Sequence, residues 1–199
     1  MLDDLTDVAA AERFDVPQVL AILVAAFRND SAARSLYPTD SEYERHFSGF
    51  LMAFGGRAFD EGTVDVDASG RAAALWFPPG IEPDGEAIIA YMEDTIPPER
   101  LGVLSVGMEI QSAMHPHETH WYLPWMGVVP EAQGSGLGSA LLRAGLVRAD
   151  TDGLPAYLEA TSRRNAALYT RQGFRETGVV EAKGYPEIIA MWRLPRGQG

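Results

Sequence analysis

Between Gly127 and Leu146 the chain reads GVVPEAQGSGLGSALLRAGL: apolar strand formers, three glycines within five positions, then apolar residues at helical spacing. Leu137, Leu141 and Ala144 recur on one helical face, so a strand, a tight turn and a helix follow one another here. That succession commits the chain to an α/β arrangement. The turn also has chemical consequences. The first amides of a helix have no intrahelical acceptor, and the dipole there favours negative charge. Glycine lets an anion approach bare backbone and permits positive φ. The segment Gln133–Gly138 is therefore a candidate anion cradle, although glycines also end strands and begin helices for steric reasons alone.

Spacing excludes the two commonest nucleotide loops. A dinucleotide fingerprint needs G-x-G-x-x-G, whereas Gly134, Gly136 and Gly138 alternate. A nucleoside-triphosphate loop ends in Gly-Lys-Ser/Thr, and no lysine stands near this one. Pro124, inside THWYLPWMGVV, cannot donate to a sheet ladder and so marks an edge, a bulge or a splay.

Upstream, DVPQVLAILVAAF predicts a first helix with Asp15 as cap, Pro17 in its first turn, and Val19, Leu20, Leu23 and Phe27 on one face. A second helix is expected from about Asp40 to Gly55–Gly56, and then a hairpin of Thr63–Val66 and Ala72–Phe77 joined through Asp67, Ser69 and Gly70. Two helical patterns, Glu86–Asp94 and Arg100–Met114, occupy the interval from Pro78 to His117, where they either cover a substrate pocket or cap the sheet. Downstream come a strand in PAYLEA, a helix in RRNAALYTRQ ended by Gly173, and strands in FRETGVVEA and EIIAMWRL. This order indicates a mixed sheet and not a doubly wound one.

The 199 residues are enough for one domain with a sizeable core. A formal net charge of −12 argues against a nucleic-acid partner, which would need a positive footprint. No stretch approaches 18 consecutive apolar residues, so no membrane span is expected. MLDDLTDV lacks the basic and apolar regions of a signal peptide. The absence of cysteine rules out disulfides, thiolate zinc sites and a cysteine nucleophile, and a cytoplasmic location is the default expectation.

With those residues in view, GVVPEAQGSGLGSALL resembles the acetyl-CoA-binding motif of the GCN5-related N-acetyltransferases (GNAT superfamily), Gln/Arg-x-x-Gly-x-Gly/Ala, filled by Gln133, Gly136 and Gly138. EATSRRNAALYTRQGF resembles the later motif of the same superfamily, and the two together are similar to the branch containing puromycin N-acetyltransferase. The likeness covers about residues 119–174. It implies a mixed sheet of six to seven strands flanked by helices and splayed between strands 4 and 5, in a single domain spanning 1–199 whose acetyl-CoA-binding core is 119–174. It further implies that the pantetheine arm pairs with Met126, Gly127 and Val128. The pyrophosphate would rest on the amides of Gly134, Ser135, Gly136, Leu137, Gly138 and Ser139, beside Gln133. Asn165 would hydrogen-bond the pantetheine arm and Tyr169 would protonate the departing thiolate. Asn165 and Tyr169 lie four apart and share a helical face. Many members carry the asparagine seven before the tyrosine, where this chain has Ser162.

Direct attack requires a neutral amine, so a base or a water relay must take its proton. Glu159 in YLEATS and His120 beside Trp121 are the candidates; the alternative for Glu159 is an ion pair with Arg163 or Arg164. His115, His117 and His120 crowd together, but their spacing fits no helical pair and no cysteine assists, so no metal is expected. Aromatics in FSGFLMAF, with Trp76, Phe77, Trp121, Tyr122 and Trp125, serve either an acceptor pocket or the core. The expected activity is acetyl transfer from acetyl-CoA to a small-molecule primary amine, with a homodimer possible in principle. A non-catalytic coenzyme A sensor, another acyl-CoA, and a protein N-terminus as acceptor are the alternatives.

Overall fold

The computed structural model describes residues 8–10 and 16–197. Among them seven strands form one mixed sheet: β1 (Val8–Ala10), β2 (Val64–Asp67), β3 (Ala72–Phe77), β4 (Trp121–Val128), β5 (Ala156–Ala160), β6 (Arg175–Val180) and β7 (Ile188–Arg193). Their spatial order is β1-β2-β3-β4-β5-β7-β6, and every pairing is antiparallel except β4 with β5. The six-to-seven-strand mixed sheet expected from the sequence is present. β1 had no signal, because three residues carry no readable period.

Two hydrophobic clusters lie on opposite faces of the sheet. One is built with α1 (Val16–Phe27), α2 (Ser31–Leu36), α3 (Asp40–Gly55), α4 (Arg57–Asp60), α5 (Gly85–Thr95) and α6 (Pro98–Met114). The other is built with α7 (Leu137–Asp152) and α8 (Arg163–Arg171). The expected cap Asp15 lies outside the described residues. On α1 the buried positions are Val19, Ile22 and Leu23, so the inward face is rotated slightly from the one the sequence suggested. Helices α2 and α4 escaped the sequence reading because six and four residues are too short for helical periodicity to show.

Caps set the longer boundaries. Thr39 and Glu42 form a reciprocal capping box at α3, and Asp84 caps α5. Gly153 ends α7 in the left-handed conformation. The hairpin turn between β2 and β3 is organised by Asp67, whose carboxylate accepts from the backbone N–H groups of Ser69, Arg71 and Ala72. Helix α7 lies directly on β3: Ala72, Ala74 and Trp76 face it, and a Cβ on Gly145 would come within 2.3 Å of the Trp76 indole nitrogen. That contact accounts for a glycine inside a helix, where it costs about 0.5–1 kcal/mol relative to alanine.

Candidate functional site

The parallel register of β4 and β5 runs Trp121–Ala156, Tyr122–Tyr157 and Leu123–Leu158, and stops there. Beyond it β4 continues against β3 alone, Trp125 opposite Leu75 through Val128 opposite Ala72. The strands therefore part at Pro124, the one residue that brings no N–H to the broken ladder. At the same place β4 bulges: Leu75 to Phe77 on β3 opposes the longer stretch Trp125 to Tyr122. Plain alternation would send Tyr122 and Trp125 to opposite faces. The extra residue puts both on the α1–α6 face.

A cavity of about 630 Å³ occupies this gap and is lined from both faces of the sheet. From the α7–α8 side come Asn165 and Tyr169, and from the other come Glu159, Tyr122, Trp125, Gln111 and His115. Helix α6 and the segment after it supply Met108, Gln111, Ser112 and His115 through His120 to the wall. Of the two roles open for the helices of residues 78–117, α6 therefore takes the pocket-covering one, whereas α5 packs against α3 and meets the cavity only at Gly85.

Glu159 stands one residue past the last β4–β5 pair. Its carboxylate accepts from Gln111 Nε2 (2.9 Å) and the Tyr122 hydroxyl (2.9 Å) on Oε2, and from the Tyr157 hydroxyl (3.1 Å) on Oε1. Gln111 is held in turn, its Oε1 accepting from the Tyr185 hydroxyl at 2.7 Å. Burial pushes the Glu159 carboxyl above its ordinary value, and the three neutral donors only partly offset that. The ion pair with an arginine does not form. Arg163 instead bridges Glu176 and Glu187.

Tyr169 is buried, and its hydroxyl has no hydrogen-bond partner among the described residues. Burial, reinforced by nearby Asp30, pushes its ionisation above the ordinary range, so the phenol keeps its proton. Asn165 Nδ2 donates to the Thr161 hydroxyl at 3.4 Å, and that hydroxyl donates to Asp30. Ser162 caps α8 by accepting from the Asn165 N–H. Its side chain is thereby committed to the helix, and Asn165 is the amide that lines the cavity.

His120 also lines the cavity, but its Nδ1 lies 2.6 Å from the Glu118 carbonyl, its ring packs on Trp192 and Tyr157, and it does not touch Glu159. His115 packs edge-on against Tyr122 and Tyr157, and burial lowers its pKa to about 4, with His120 adding to the effect. Among the described residues no group of three histidine or acidic side chains is placed to hold a metal.

The glycine turn has the geometry of an anion cradle. Gly134 and Gly136 sit at φ +80° and +93°, with open space where a Cβ would stand. Gly136 begins α7 without any side-chain cap, and no acidic residue lies in the first turn. The amides of Leu137, Gly138 and Ser139 thus open a helix whose first turn has no side-chain acceptor. Leu137 anchors this end in the core, and Gly138 packs against Val128 and Leu168. Gln133 ties the turn to the end of β4 through its Nε2 and the Val128 carbonyl (3.2 Å), while Ser135 turns its hydroxyl back to the Ala132 carbonyl.

The aromatics divide between the two readings open for them. Trp76, Phe77 and Trp121 are core, whereas Tyr122, Trp125, Phe50 and Phe54 reach the cavity wall. Gln111, Tyr157, Tyr185, Asp30 and Thr161 were not singled out in the sequence. Tyr157 was within reach, since it lies two residues before Glu159 on a strand and so shares its face.

Residues 84–176 match the model of the acetyltransferase (GNAT) domain. Over 115 residues the chain is 32% identical to a mycothiol acetyltransferase of Streptomyces coelicolor, a match covering 54% of this chain and 31% of that protein. A mycothiol acetyltransferase of Paenarthrobacter aurescens is 34% identical over 112 residues, 55% of this chain and 32% of that one. The match thus spans about a third of the length of these curated relatives. Among solved structures, a histone acetyltransferase and related acetyltransferase from Corynebacterium glutamicum superposes with TM-score 0.62 at 28% identity, covering 95% of this chain and 96% of that one. Arylalkylamine N-acetyltransferase 2 from Aedes aegypti shares the fold, with TM-score 0.67 at 12% identity over 96% and 99% of the two chains.

Proposed function

The chain belongs to the GNAT acetyltransferases, and from that premise we propose that it moves an acetyl group from acetyl-CoA to a small-molecule primary amine by direct attack in a ternary complex. The observation that carries this reading is the cavity through the β4–β5 splay, which joins a buried carboxylate on one face to a phenol with no hydrogen-bond partner among the described residues on the other. The narrower likeness to puromycin N-acetyltransferases rests on the motif residues alone.

The residues present fit coenzyme A. The cradle of Gly134 and Gly136 is open where a Cβ would fill it, and the α7 N-terminus is uncapped and free of acid. Gly134 through Ser139 would hold the pyrophosphate, with Gln133 fixing the turn. The β4 edge at Met126, Gly127 and Val128, left unpaired by β5, would take the pantetheine amides, with Asn165 beside them. Acetyl-CoA, when bound, supplies the activated acetyl thioester.

Glu159 then accepts a proton from the acceptor ammonium, freeing the nitrogen lone pair to attack the thioester carbonyl. Its raised affinity for a proton suits that task near neutral pH. Tyr169 gives its proton to the sulfur as the carbon–sulfur bond breaks. The nitrogen sheds its second proton as the amide forms, which restores the phenol by way of solvent, and Glu159 releases the first proton to solvent, so one proton is released per turnover. A phenol held neutral by burial is poised to donate only when a stronger base, the developing thiolate, appears beside it. His120 borders the cavity with no hydrogen bond to Glu159 among the described residues, and we assign the proton transfer to Glu159 and a wall position to His120.

The test is Tyr169→Phe. Acetyl-CoA should bind within about threefold of wild type while kcat falls about 10²-fold or more, as for loss of a general acid. An unchanged kcat with a good acceptor removes Tyr169 from the mechanism.

A further inference from the structure

The electrostatics of the cavity extend this reading to the acceptor. Among the described residues four carboxylates line it, Asp30, Glu82, Glu118 and Glu159, and no lysine or arginine does. His115 is held neutral at physiological pH. An acceptor carrying its own carboxylate would meet like charge and no cationic partner anywhere on this wall.

Within that set Glu159 is distinct. Its hydrogen-bond donors are an amide and two phenols, all uncharged, so its negative charge has no counter-ion among the described residues. An ionised carboxylate has about four acceptor positions. Two donors occupy Oε2 and one occupies Oε1, which leaves one position on Oε1 for an incoming N–H. An ammonium seated there would supply the missing charge. Asp30 is more fully engaged, taking two backbone N–H groups and the Thr161 hydroxyl, and Glu82 and Glu118 stand exposed at the mouth.

Around Trp125 the wall is apolar. Trp125 is ringed edge-on by Phe27, Phe50 and Phe54, with centroids 5.2–6.2 Å away, and all four border the cavity. Trp125 lies three positions beyond Tyr122 on the same face of β4, and Tyr122 is hydrogen-bonded to Glu159. Three residues of strand rise about 10 Å. The wall thus starts within a short linker of the carboxylate.

We propose that the acceptor is a monocationic amine with a compact ring-bearing body and no anionic group, its ammonium on Glu159 and its body against the Trp125–Phe54 wall. This rests on the acetyltransferase reading above. A second cation at that wall would give up its hydration for a cation–π contact worth about 0.5–2 kcal/mol, whereas a ring stacks there with no hydration to lose.

The experiment uses the full chain with 2-phenylethylamine, L-phenylalanine, which adds a carboxylate to the same body, and putrescine, which replaces the ring with a second cation. Binding is read as a rise in Tm with coenzyme A present, and turnover as thiol release from acetyl-CoA. Phenylethylamine should raise Tm and show kcat/KM at least about tenfold above both others. Phe54→Ala should erase about tenfold of its advantage over putrescine, the size expected for a pocket that loses apolar contact. Putrescine or phenylalanine equalling phenylethylamine in both readouts overturns the acceptor proposal while acetyl transfer stands. Phenylethylamine that raises Tm but is not acetylated overturns the catalytic reading and leaves the acceptor site standing. No Tm rise and no turnover with phenylethylamine overturns the acceptor proposal.

Discussion

Glu159→Gln isolates the charge of the proposed base from its shape. The three donors to Glu159 are neutral, and two of them are hydroxyls that rotate to face either an oxygen or an NH2. The packing of β5 between β4 and β7 therefore survives, and the substitution removes a buried charge that has no counter-ion. General-base catalysis contributes about 10²–10⁴-fold, so kcat/KM for the acceptor, read as thiol release, should fall within that range, with acetyl-CoA affinity unchanged. Stability should move the other way. Because burial raises the carboxyl above its unfolded value, the folded chain binds that proton more tightly. The contribution of Glu159 is fully favourable below the unfolded value and is lost as pH rises through the folded one. The variant lacks this loss, so its Tm should gain on wild type as pH is raised from mildly acidic to mildly alkaline. A variant that keeps kcat/KM within threefold of wild type, or whose Tm falls steadily behind wild type with rising pH, refutes the assignment.

Three further outcomes follow from the geometry. Gly136→Ala forces a side chain into φ +93°, a strain of about 1–2 kcal/mol, and puts a methyl in the open cradle; acetyl-CoA affinity measured by calorimetry should drop at least tenfold, and unchanged affinity would place the pyrophosphate elsewhere. His115 has a pKa of about 4 against an ordinary 6.5, so between those values the unfolded chain takes up a proton that the folded one refuses, and stability is lost as pH falls. His115→Phe should flatten that acid-side decline in Tm, and an undiminished slope assigns the decline to other groups. Asp67→Ala strips the buried acceptor from the Ser69, Arg71 and Ala72 N–H groups, of which only that of Ala72 belongs to a buried residue. Chemical denaturation should show a loss of about 1–3 kcal/mol, the cost of one buried group left unpaired, and a loss below 0.5 would mean that water reaches the Ala72 amide.

The glycine turn and the Asn165–Tyr169 pair were readable because they are local. Gly134, Gly136 and Gly138 act within one turn, and Asn165 and Tyr169 lie on one helix, so spacing alone brings their groups together. Pro124 was readable for the same reason, as a residue that cannot donate marks the place where a ladder ends. The acceptor half is different. Gln111 reaches Glu159 across 48 residues, Tyr122 across 37, and Thr161 reaches Asp30 across 131. Nothing in α6 distinguishes Gln111 from its polar neighbours until the helix is laid against β5.

The sequence by itself thus indicated a mixed α/β sheet, an edge, bulge or splay at Pro124 and a candidate glycine cradle, because each follows from backbone chemistry and short-range periodicity. Only the tertiary structure decided that Glu159 meets two phenols and an amide with no arginine, that a bulge turns Trp125 toward the same cavity as Tyr122, and that helix α6 covers it. Those outcomes depend on which distant side chains share one low-dielectric space, and chain order does not encode that distance.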